Sequence, residues 1–150
     1  MKKLKLYLDN CCFNRPFDDQ SQLLVRLETE AKLHIQEEIK NGVFELIWSY
    51  ILDIESDANP YPRRKKSVQA WKSFAKIDVV ESEELLVLME SFEKQRIKSC
   101  DALHLAAAIV ASADFFITVD RGILNKPITE IRVMNPEAFV RYYEGIINNE

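Results

Sequence analysis

Residues 101–123 read DALHLAAAIVASADFFITVDRGI, and how this stretch is divided decides the fold. Ser99 is a good helix cap, and CDALHLAAAIVASA (100–113) predicts a strongly apolar helix. FFITVD (115–120) is aromatic and β-branched with little alternation, so it predicts a strand buried on both faces and ending on Asp120. A helix feeding directly into a doubly buried strand is the repeating unit of a parallel sheet covered by helices.

The N-terminal LKLYLD (4–9) shares that design, with apolar Leu6, Tyr7 and Leu8 leading to Asp9. From Asp19 or Ser21, SQLLVRLETEAKLHIQEEIKN carries Leu23, Leu24, Leu27, Ala31, His34, Ile35 and Ile39 at helical spacing, and Gly42 supplies a stop. FELIWS (44–49) has strand composition, and SYILDIES continues as a helix until Asn59-Pro60-Tyr61-Pro62 breaks it. Further helices are expected over 63–76 and 83–96, with IDVVE (77–81) a short strand between them. IRVMN is a minor strand, and Asn135-Pro136 opens a last helix. The expected class is α/β: one domain spanning 1–150, a three-layer arrangement with a central, mostly parallel sheet of four or five strands and helices on both faces.

The composition, 47% apolar and 29% charged, is that of a soluble globular protein. The uncharged run Ala102 to Ala113 is too short to span a bilayer, and the lysine-rich start is broken at Asp9, so neither a membrane segment nor a leader is expected. Three cysteines, two of them adjacent, suggest reduced thiols and a cytoplasmic location. The formal charge of -4 argues against a nucleic-acid partner until it is mapped. Arg63, Arg64, Lys65, Lys66, Lys72 and Lys76 fall in a stretch without an acid, next to Tyr61, Trp71 and Phe74. That segment is either a solvated helix face or a phosphate contact with bases stacking nearby.

In an open parallel sheet, ligands bind beyond the carboxyl ends of the strands. A lone aspartate there is commonly a cap, but Asp9 and Asp120 are joined by Asp101 in a first helical turn and by Asp53 and Glu55 after FELIWS. Clustered carboxylates raise one another's pKa unless a cation neutralises them, and an oxygen-only set suits Mg²⁺ or Mn²⁺. Such an ion lowers the pKa of a bound water for attack on a phosphodiester.

LYLDNCC, SYILDIES and CDALHLAAAIVASADFFITVD, in that order, resemble the PIN domain family, the small nuclease fold that includes VapC-type toxins. The resemblance covers essentially the whole chain and implies a metal-dependent endoribonuclease acting on RNA. The family's four acids then map onto Asp9, Glu55, Asp101 and Asp120, with Asp53 competing for the place of Glu55. It further implies an antitoxin partner and a homodimer. Asn10 stands where many members carry Thr or Ser, and Arg121-Gly122 follows Asp120 where some offer another acid. One ion is thereby supplied with ligands, while a second is left open. Asn10, Thr118 and Arg121 are supporting residues on this reading, and Arg15, Arg63, Arg64, Lys65 and Lys66 are candidate RNA contacts. The alternative is a PIN-fold module that binds protein or RNA without catalysis.

His104, one turn after Asp101, is expected to be a hydrogen-bonded, partly buried histidine rather than a general base. Cys100 and His104 stand at i, i+4, but with no CxxC the sequence alone argues against zinc. Three glycines exclude a P-loop and a dinucleotide fingerprint, and Asp9-Asn10-Cys11 lacks the Asp-x-Asp of haloacid-dehalogenase-type phosphatases.

Overall fold

Five strands form one sheet in the computed structural model, which describes residues 2–149. They are β1 (Leu4–Leu8), β2 (Phe44–Ser49), β3 (Ala75–Val79), β4 (Phe115–Ile117) and β5 (Arg132–Met134). The order is β3-β2-β1-β4-β5 and every pairing is parallel. The chain leaves β1 toward β2 on one side and leaves β4 toward β5 on the other, so the topological switch lies between β1 and β4. Ligand sites are built at that edge in open α/β sheets.

The helices are α1 (Asn10–Asn14), α2 (Leu23–Lys40), α3 (Tyr50–Asp57), α4 (Pro62–Gln69), α5 (Glu83–Lys94), α6 (Ser99–Val110), α7 (Arg121–Leu124) and α8 (Pro136–Asn148). Helices cover both sheet faces, as residue alternation along the strands shows. Phe44 and Phe115 point one way and meet Phe139 of α8, with ring centroids 5.4 and 5.1 Å apart. Tyr7 points the other way, stacked at 5.4 Å on its register partner Phe116 and 5.6 Å from the ring of His104 in α6. Short spans 10–14 and 121–124, which follow the two strand-end aspartates, are helical.

Helix α2 buries Ala31, Ile35 and Ile39 of the expected stripe but not the residues before them or His34. Leu23, Leu24, Leu27 and His34 are exposed, while Val25, Glu28, Thr29, Ala31, Lys32, Ile35, Gln36 and Ile39 face inward. Its first turn is not capped by Asp19 or Ser21, since the cap position is Gln22 and Asp19 instead accepts from the Ser21 amide at 3.0 Å. In the first half of the helix a buried ion pair lies on the inward face, where Arg15 donates at 2.8 Å to Glu28, a carboxylate with no exposure. The helix ends as expected at Gly42, whose φ of +78° is readily adopted only without a Cβ.

Lys32 is 4% exposed, with its ammonium 5.8 Å from the centre of the Phe13 ring. Burial lowers its pKa from 10.5 to about 8. The folded state therefore favours the neutral amine, and stability is gained as pH rises from about 8 toward 10.5. Lys32→Met should stabilise the protein by about 3 kcal/mol at pH 7, and the gain should vanish near pH 10.5 in urea melts.

Candidate metal centre

Asp9 follows β1 directly, and its amide donates to the Ile117 carbonyl at 2.9 Å, locking the ends of β1 and β4 together. Asp9 as a whole is 5% exposed. Oδ1 caps α1 by accepting from the Asn10 amide at 2.8 Å, and Oδ2 accepts from the Thr118 hydroxyl at 2.9 Å. The same Thr118 oxygen accepts from the Asp120 amide at 3.0 Å, so one buried hydroxyl fixes both strand-end aspartates. Asp120 in turn accepts from the Gly122 amide at 2.8 Å, and a Cβ at Gly122 would stand 3.1 Å from its Oδ1. A side chain there would crowd the carboxylate.

Asp101 enters from the first turn of α6. Burial and the charges of Asp9 and Asp120 raise its pKa from 3.8 to about 6, with Glu55 adding and His104 opposing. Burial likewise pushes Asp9 up, against the pull of His104 and the Thr118 hydroxyl and with Glu55 adding to the rise. The four acids singled out in the sequence thus act on one another electrostatically at the switch-point edge.

Glu55 and Asp53 part company on α3. Asp53 accepts from the Trp48 indole at 2.9 Å and from Lys72 at 3.1 Å. Glu55 instead reaches His104 Nε2. Two residues apart on a helix, the two side chains cannot share a face, and it is Glu55 whose charge acts on Asp9 and Asp101. His104 is 1% exposed, its Nδ1 is 2.6 Å from the Tyr7 hydroxyl, and that hydroxyl is 2.6 Å from Ser49 Oγ. Burial disfavours its charge, but Tyr7, Cys100, Glu55 and Asp9 outweigh burial and hold its pKa well above the usual value. A hydrogen-bonded histidine is what the sequence led one to expect.

The basic candidates are spread more widely. Arg15 is committed to Glu28 and to Asp18 at 3.0 Å. Arg64 lies over Tyr61 at 4.3 Å and over Phe17 at 5.2 Å, Lys65 is 3.8 Å from Asp57, and Arg63, Lys66 and Arg121 are exposed. Asn10 stays at the mouth of the site, accepting from Asn14 through its carbonyl at 3.0 Å. Three residues that sequence reading passed over are better placed than Arg15. Arg96, Lys98 and Lys126 line a cleft of about 260 Å³ together with Asp101, Asp120 and Gly122. Arg96 has φ +66° just past α5, so the turn that aims it could have been suspected from the helix end but not its proximity to Asp120. Cys11 also enters the site, with Sγ 3.3 Å from Thr118 Oγ1 and 3.5 Å from Asp9 Oδ2, whereas Cys12 is buried and donates to the Ile117 carbonyl at 3.3 Å.

This parallel sheet, with its carboxylates at the β1/β4 switch, is a PIN-like α/β fold. Among solved structures it is similar to a chain of the DNA-bound VapBC of Salmonella typhimurium, with TM-score 0.57 and 16% identity over 89% of this chain and 98% of that one. A chain of VapBC2 from Rickettsia felis, bound to a DNA fragment from its promoter, matches with TM-score 0.55 and 13% identity over 88% and 98%. No protein-family model and no curated protein matches the sequence. Among the described residues, no helix is long and apolar enough to cross a membrane.

Proposed function

We propose that the chain acts as a single PIN-like domain, a metal-dependent endoribonuclease that hydrolyses RNA phosphodiester bonds and serves as the toxin of a toxin–antitoxin pair. The observation that carries this is the placing of Asp9 and Asp120 at the ends of β1 and β4, tied by one Thr118 hydroxyl, with Asp101 entering from the first turn of α6; the raised pKa of Asp101, about 6, agrees with it. Carboxylates held together at a cost to their ionisation fit a divalent cation, and their oxygen donors fit Mg²⁺ or Mn²⁺ rather than a soft metal. Asp9, Asp101 and Asp120, with Glu55 swung from His104, would hold it. When bound, the ion supplies Lewis-acid stabilisation and an acidified water.

The chain's own residues do the rest. Thr118 holds the Asp9 carboxylate and the Asp120 backbone in register through its two hydrogen bonds. Arg96, Lys98 and Lys126 bring positive charge to the cleft beside Asp101 and Asp120, where an RNA phosphate would sit. Arg121 and the exposed Arg63 and Lys66 extend the basic surface available to the RNA backbone. Two solved structures similar in fold are VapBC assemblies, which supports an antitoxin partner, and a homodimer is part of the same reading.

The test is cleavage of mixed RNA by the purified chain with Mn²⁺, then EDTA, then excess Mn²⁺, alongside Asp9→Asn. Cleavage that stops with EDTA, returns with Mn²⁺ and is lost in the variant is expected; cleavage that persists in EDTA would refute the reading. Lys98→Ala with Lys126→Ala should raise KM roughly tenfold with little change in kcat, and flatten the salt dependence of RNA binding.

A further inference from the structure

The geometry points to a second, chemically different metal site: Cys100 Sγ, His104 Nε2 and Glu55 together form a site for a borderline-soft divalent ion of the Zn²⁺ class. The three donor atoms all lie within 4.8 Å of one another. A tetrahedral zinc with bonds of ~2.0–2.3 Å sets its ligands roughly 3.5 Å apart, so closure asks for small side-chain rotations. Cys100 is exposed and Glu55 half-buried, which leaves both free to make them. His104 is the fixed member.

Cys100 and His104 are one turn apart on α6, and the sequence offers no more than that pair. The fold adds the third ligand by bringing α3 against α6. The support around His104 is what a metal-binding imidazole requires. Nδ1 is engaged at 2.6 Å by the buried Tyr7 hydroxyl, itself tied to Ser49, so ring orientation is set and Nε2 is the nitrogen left to face the other donors. The same feature argues against a cysteine nucleophile, because a relay needs the thiol and the orienting acid on opposite nitrogens, whereas Tyr7 occupies one. Thiolate and imidazole select Zn²⁺ over Mg²⁺, and one thiolate plus one carboxylate neutralise its charge. Binding releases two protons to solvent, one from the Cys100 thiol and one from Nε2 of His104, whose pKa Tyr7, Cys100, Glu55 and Asp9 hold above the usual value. Asp9 Oδ1, 3.7 Å from Nε2, or a water can complete the four-coordinate shell.

Glu55 belongs to both donor sets. If the ribonuclease reading holds, on which this consequence rests, a soft ion at Cys100 withdraws Glu55 from the carboxylate centre and switches the enzyme off.

The experiment is a Co²⁺ titration of the full chain followed by absorbance. A thiolate-to-cobalt charge-transfer band saturating at one ion per chain is expected in the parent and in Cys11→Ser. It should be absent from Cys100→Ser, whose exposed position leaves folding intact. No band in the parent, a band unchanged in Cys100→Ser, or a band lost in Cys11→Ser overturns the site. In a second arm, one equivalent of Zn²⁺ should suppress Mn²⁺-supported RNA cleavage by the parent at least tenfold and leave Cys100→Ser unaffected. Equal suppression of both overturns the switch. If the parent cleaves no RNA at all, the nuclease reading fails while the cobalt band still decides the site.

Discussion

Asp101→Asn is expected to abolish RNA cleavage while making the metal-free protein more stable. A metal ligand should matter more than the ~10–100-fold that loss of a supporting hydrogen bond costs, so the rate should fall at least about 100-fold. Stability moves the other way because the folded-state pKa of Asp101, about 6, lies above its ordinary 3.8. Near pH 3 both folded and unfolded chains carry the proton and nothing is lost. As pH rises toward 6 the unfolded chain releases its proton first, so the fold loses stability, and above 6 it bears the full cost of an ionised Asp101. Taken at face value the gap is ~3 kcal/mol, but Asp101 is half-exposed and solvent screening reduces it to about 1 kcal/mol. In EDTA at pH 7, Asn should therefore raise Tm by roughly 2–4 °C, with no gain at pH 3. Adding Mn²⁺ should stabilise the parent and not the variant. A fall in Tm parallel to the fall in activity would make Asp101 a structural residue.

Arg15→Met carries the largest expected effect on folding. It would leave Glu28, whose side chain has no exposure, unpaired inside the protein, with Oε2 already lacking a hydrogen-bond partner. Breaking a buried pair from one side costs about 3–5 kcal/mol, or roughly 10 °C in Tm for a chain of this length. Arg15→Met combined with Glu28→Leu should recover most of the loss, since replacing both members by apolar groups is close to neutral. Urea unfolding of the parent, Arg15→Met and the double variant measures this. Had Arg15 served RNA instead, the single variant would keep its stability and lose only affinity.

The fold was legible where composition and position agree. LKLYLD, FELIWS and FFITVD lack alternation because each strand is covered on both faces, and Leu6, Leu46 and Phe116 indeed have no exposure. Asp9 and Asp120 were legible as a pair because the same strand design delivers each to one edge. Helix α2 was legible through Ala31, Ile35 and Ile39 but not in its first half, because a hydrophobic pattern cannot anticipate a buried carboxylate paired with an arginine thirteen residues away. Asp53 and Glu55 were inseparable in sequence, and only the partners Trp48 and Lys72 on one side and His104 on the other distinguish them. The same holds for Cys11, which packs on Thr118 across 107 residues, and for Arg96, Lys98 and Lys126, which reach the site from two separate loops.

That the four carboxylates form a metal centre is tested most directly by Mn²⁺ binding, measured by the loss of the free-ion electron paramagnetic resonance signal. The parent chain should bind Mn²⁺ saturably, and Asp9→Asn or Asp120→Asn should weaken that binding by at least about 100-fold. Equal affinity in the parent and both variants would contradict it.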